Sequence, residues 1–191
     1  MRRSTILVVA IALVLGGALG AIGLLAGDVL KAGSAAAPLP NPVWTEVPWP
    51  FPMDPWGKGK AFQCKAEHCA TEVRLYLRAK LGSCNCTTGV ADDADLDRMS
   101  DFDLVGGGVS PLGAGRPIII AWMKGRSRAY TLTARNWLGR SAISVVFNDR
   151  CDMIVATVVF PHDRPATIEP GVMEFLNSRT VLHWAEVALG I

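Results

Sequence analysis

The sequence predicts an α+β fold: an antiparallel sheet of about five strands with C-terminal helices packed on one face, preceded by one N-terminal transmembrane helix. Three observations carry this. Apolar residues alternate through Thr71–Ala79 and four later segments flank two hairpin signals, the period lengthens to helical spacing after Pro170, and residues 6–26 contain no charge.

The N-terminal run begins after Arg2 and Arg3, and Ile6–Ala26 is apolar or small throughout. About twenty such residues, at the rise of an α-helix, match the hydrocarbon thickness of a bilayer. A cleavable signal has a shorter apolar run with a small-residue site close behind it, whereas Ala35-Ala36-Ala37 stands well beyond the run. An uncleaved signal-anchor is therefore expected over 6–26. Two arginines ahead of it and Lys31 behind place residues 1–5 in the cytoplasm by the positive-inside rule. The expected location is the cell inner membrane, single-pass, with the main domain in the periplasm or another extracytoplasmic space.

Residues 27–59 read as a Pro/Trp-rich linker. Seven of the twelve prolines fall between Ala32 and Gly59, a density that disfavours helix and central strand. Trp44, Trp49, Phe51 and Trp56 share this stretch, which is too much aromatic surface for a solvated spacer. These rings are expected to pack on the domain or rest at a membrane interface, with a docking strip for a protein partner as the minority reading.

Residues 60–191 then form the extracytoplasmic α+β domain. In Thr71–Ala79, Val73, Leu75 and Leu77 share one face and Glu72, Arg74, Tyr76 and Arg78 the other. Pro117–Met123 and Arg128–Ala134 flank Lys124-Gly125-Arg126-Ser127, which reads as a hairpin turn, and Ala142–Asn148 and Asp152–Phe160 flank Asp149-Arg150-Cys151 in the same way. Asp92–Asp103 suits a short helix with Leu96 and Met99 inward. Val172, Phe175, Leu176, Val181, Leu182, Ala185 and Leu189 recur at helical spacing, broken at Asn177-Ser178 with Ser178 as an N-cap.

Charge narrows the function classes. Of 19 Lys+Arg and 17 Asp+Glu, residues 1–37 hold three basic residues and one acidic, so the remainder carries sixteen of each. No nucleic-acid partner is expected from a neutral domain. The charges are nevertheless segregated, with six aspartates in Asp92–Asp103 and then no acidic residue until after Asn148. Arg116, Lys124, Arg126, Arg128, Arg135 and Arg140 occupy that interval. The acidic segment is expected to fold against the basic one; the alternative is an exposed basic strip for anionic lipid or an acidic partner.

Five cysteines stand at 64, 69, 84, 86 and 151. In an oxidising compartment they read first as disulfides, assigned to Cys64, Cys69, Cys84 and Cys86 with the connectivity open. The alternative is a thiolate metal site for copper or zinc, using Cys64, Cys69, Cys84 and Cys86 with His68, although the spacing lacks the paired C-x2-C of a zinc ribbon. Thiol-disulfide exchange at C-x-C is a third reading. No G-x-S-x-G elbow, P-loop or paired catalytic histidine is present, so no catalytic residue or cofactor is expected. These observations describe a membrane-anchored envelope accessory or interaction protein with a disulfide-stabilised domain.

Overall fold

The computed structural model describes residues 42–161 and 165–191. The expected cytoplasmic residues 1–5, the membrane segment 6–26 and residues 27–41 of the linker lie outside them. Among the described residues no helix is long and apolar enough to cross a membrane.

The fold is α+β, with an antiparallel sheet of eight strands instead of about five. The strands are β1 (Trp44–Val47), β2 (Lys60–Cys64), β3 (Val73–Lys80), β4 (Val109–Pro111), β5 (Arg116–Ile120), β6 (Met123–Leu132), β7 (Arg140–Asp149) and β8 (Asp152–Pro161). Their order is β1-β2-β3-β8-β7-β6-β4, and β5 shares the outer edge of β6 with β4. Helices α1 (Ala66–Cys69), α2 (Asp93–Met99), α3 (Pro165–Leu176) and α4 (Arg179–Leu189) and two 3-10 turns, Phe102–Val105 and Arg135–Trp137, complete the described elements.

One face of the sheet is covered by α3 and α4. Leu75 and Leu77 of β3, Val145 and Phe147 of β7, and Val158 and Phe160 of β8 meet Val172 and Leu176 of α3 and Val181 and Ala185 of α4. Each such aliphatic side chain contributes roughly 1.5–3 kcal/mol when fully buried, which explains why two short helices stay docked. The break between them falls where the sequence places it, and the Ser178 hydroxyl accepts the Val181 N–H. Helix α3 starts earlier than expected, at Pro165, and holds Pro170 internally.

The opposite face departs from expectation. The alternation in β3 predicts a polar, solvated face, yet Tyr76 and Arg78 are buried there. Residues 47–51 of the presumed linker and the 3-10 turn Phe102–Val105 cover this face, with Trp49 and Phe51 packed edge-on against Tyr76. Helix α2 closes the far end, burying Leu96 and Met99 over Val146, Met153 and Val155. Residues 42–59 are thus a strap built into the fold. Within the strap, β1 pairs with β2 between Pro42 and Pro48, as an edge strand bounded by prolines can.

The first hairpin turn is also displaced. It falls at Ala121-Trp122, where Ala121 has φ of 51°, and Lys124–Ser127 runs inside β6. Gly125 therefore serves close approach, because a Cβ there would lie 2.0 Å from the Val146 carbonyl oxygen of β7. The second turn, around Arg150, stands where the sequence places it.

Candidate functional site

The cysteines divide into one local and one long-range bridge. Cys64 ends β2 and bonds to Cys69 at the end of α1, closing the loop ahead of β3. Cys86 bonds to Cys151, which lies in the β7–β8 turn. Cys84 is the free, buried thiol. Giving both bridges to Cys64, Cys69, Cys84 and Cys86 therefore missed Cys151. The Cys84 N–H donates to the Cys151 carbonyl at 3.2 Å, so β3 and the β7–β8 turn bring all three sulfur-bearing residues to one end of the sheet. Only the pairing of β3 with β8 creates this neighbourhood, and neither strand encodes that pairing by itself.

Burial pushes the Cys84 thiol up, and the nearby Asp152 carboxylate pushes it further. A reactive thiol needs the opposite shift. His68, placed in the thiolate metal set by the sequence, sits with Nε2 3.5 Å from Glu67. Among the described residues no group of three or more His, Cys, Asp or Glu side chains is disposed to hold a metal ion. A four-thiolate site for copper or zinc would require both bridges to be reduced.

The segregated charges meet one another. Arg126 bonds Asp93 at 2.6 Å and Arg128 bonds Asp97 at 3.0 Å, tying β6 to α2. The Gly115 N–H and the Arg126 side chain hold the Asp93 carboxyl below its ordinary range. The Tyr130 hydroxyl donates to Asp97, and burial together with that carboxylate pushes the phenol up. Arg116 pairs with Glu169 of α3 at 2.9 Å. Lys124, also in this basic interval, has no ion-pair partner among the described residues.

A second charged group lies beneath the strap. Asp101 accepts from Arg78 Nε at 2.9 Å and Nη2 at 2.7 Å, and Lys80 Nζ stands 2.6 Å from the same carboxylate. Asp54, from the strap, also binds Arg78. Burial alone would raise the Asp54 carboxyl, but the Arg78 hydrogen bond, the Trp56 N–H and the two cations outweigh it and lower it. The four charges balance, and the arrangement holds the strap down.

An apolar trough lies beside a strand edge that is open among the described residues. Arg116, Pro117, Ile118 and Ile119 of β5 line one side, and Pro170 and Met173 of α3 line the other. Ile119 is 66% exposed, and Trp122 at the following turn is 50% exposed. Among the described residues no strand pairs with the outer edge of β5, and Pro117 within it lacks an N–H, as suits an edge strand. This hairpin is the candidate functional surface. The sequence placed its turn inside β6, so the protruding pair Ile119 and Trp122 was not legible there.

No protein-family model matches the sequence, and no curated protein matches it. Among solved structures, the chain is similar to the solution structure of cyanobacterial PsbP (CyanoP) from Synechocystis sp. PCC 6803, at 12% identity and a TM-score of 0.42, over 70% of this chain and 77% of that one. A likeness of that degree assigns neither family nor function.

Proposed function

We propose that the protein is a membrane-anchored envelope accessory protein whose extracytoplasmic domain is a non-enzymatic interaction module, docking through the β5–β6 hairpin. The observation that supports this is the exposure of Ile119 and Trp122 on one hairpin, whose strand β5 has no outer neighbour among the described residues. Two helices cover one face of the sheet and the strap packs on the other. Large apolar side chains left in water at one hairpin, next to an apolar trough, are the usual mark of a contact surface. The anchor part of the proposal rests on the uncharged run 6–26 and the oxidised cysteines, which suit an extracytoplasmic compartment.

The experiment has two arms. Alkaline extraction of membranes from cells expressing the full chain should leave the protein in the pellet, and a thiol reagent unable to cross the membrane should label position 187 in a Val187→Cys variant. A photo-crosslinker at position 119 should form adducts that the same group at position 187 on α4 does not. Extraction into the supernatant would overturn the anchor, and equal yields at 119 and 187 would overturn the hairpin as the docking surface.

A further inference from the structure

The geometry points to anionic lipid headgroups as what the β5–β6 hairpin touches: Ile119 and Trp122 enter the bilayer interface while Lys124 and Arg179 face the lipid phosphates. This deepens the membrane-anchored reading above and rests on it.

The hairpin combines three features that an interfacial contact needs. Its tip places an aliphatic and an aromatic side chain in water, 66% and 50% exposed, on either side of the Ala121 turn. Trp is favoured at the headgroup level because its ring is apolar and its indole N–H is polar. The turn is also stiffly mounted: the Ala121 N–H donates to the Asn177 side chain at 2.8 Å, and Ile120 and Met123 are buried on either side of it. A rigid tip loses little freedom on insertion.

The charges around the tip favour an anionic surface. Lys124 is the register partner of Ile119, and Arg179 opens α4 two residues after Asn177. Neither has an ion-pair partner among the described residues, whereas Arg126 and Arg128 of the same strand are neutralised by α2. The acidic groups nearby are occupied. Glu169 pairs with Arg116, Asp149 with Arg150 at 3.4 Å, and Asp152 accepts the Gly82 N–H. Glu174 of α3 lies on the other side of that helix, facing Pro42 and Trp44. An acidic protein strand would satisfy the same two cations, but a bilayer interface also accounts for the exposed aliphatic and aromatic side chains that flank them at the tip. Residues 27–41 can span up to about 50 Å when extended, so the tether does not prevent this contact.

The test uses the full chain assembled into nanodiscs of phosphatidylcholine alone or of phosphatidylcholine with phosphatidylglycerol, read by hydrogen–deuterium exchange of the 116–124 segment. Phosphatidylglycerol should slow exchange there. Lys124→Gln and Arg179→Gln should each weaken that protection roughly fivefold. Ile119→Ser combined with Trp122→Ser should abolish it while exchange in β7 and β8 stays unchanged, which shows that the variant is folded. Equal exchange in the two kinds of disc would overturn the proposal, as would protection that appears only when a protein fraction is added. A chain that enters neither disc would defeat the anchor alone, and the same comparison with free phosphatidylglycerol vesicles then decides the hairpin.

Discussion

Arg78 and Asp101 form a paired ion bridge sealed from solvent, each side chain 4% exposed, and the strap closes over it through Asp54. The bridge is what allows two charges to sit on a sheet face that the strap renders dry. Removing Arg78 strips Asp101 of its two-pronged partner and leaves Lys80 as its buried countercharge.

Arg78→Ala is therefore expected to destabilise the domain by about 3 kcal/mol, the low end of the loss when a buried pair is broken, because Lys80 stays beside Asp101. Asp54→Ala should cost about 1 kcal/mol or less, since Asp54 is a third exposed and its pair is screened. Urea unfolding of the two variants measures both, and equal losses would show that the strap, not the buried pair, dominates.

Gly59 lies where the strap leaves the sheet, and a Cβ there would meet the Leu77 carbonyl oxygen at 1.9 Å and the Trp49 ring at 2.8 Å. Backbone cannot yield at that distance. Gly59→Ala should detach Trp49 from Tyr76, seen as a red-shifted tryptophan emission and faster amide exchange over 47–56. Emission identical to that of the unsubstituted chain would show that the strap accommodates the methyl.

The two bridges should differ in weight. Cys86–Cys151 closes a loop of some 65 residues and Cys64–Cys69 a loop of about five. Loop-closure entropy then assigns about 4 kcal/mol to the first and about 2 kcal/mol to the second. Cys86→Ser should accordingly lower the urea midpoint more than Cys69→Ser.

The same sulfurs decide between disulfides and metal. Alkylation of the denatured, unreduced chain should modify Cys84 alone, and alkylation after reduction should modify all five cysteines. Mass spectrometry reads both. Four free thiols and a stoichiometric copper or zinc adduct would instead favour metal handling.

Stability should fall at both extremes of pH. Asp54 and Asp93 are held below their ordinary range in the folded chain, so their contribution is complete above the unfolded carboxylate pKa of about 3.9 and is lost as pH falls through the lower folded values. Tyr76 and Tyr130 are raised, Tyr76 by burial and Tyr130 by burial and Asp97, so theirs is complete below about pH 10 and lost as pH rises further. Tyr130→Phe should flatten the alkaline limb of the urea midpoint. An unchanged limb would show that Tyr130 does not report the transition.

By itself the sequence determined the α+β class, the β3 core face, the Arg150 turn, the inward Leu96 and Met99 of α2, and the Ser178 cap, because each is written within one element as a period or a capping residue. The pairing of acidic α2 with basic β6 was legible too, since opposite charges segregated in sequence must find each other or remain in water. Tertiary structure decided what depends on neighbours distant in the chain. Pairing of β3 with β8 brought Cys151 beside Cys84, and Cys86 took Cys151 as its bridge partner. Close passage of β7 explains Gly125 as a strand residue, and the turn moved to Ala121-Trp122. The strap's place over Tyr76 and Arg78 followed from a second apolar face on the sheet, which alternation alone presents as solvated; only burial by another segment, with Asp54 and Asp101 supplying the countercharges, makes that face an interior.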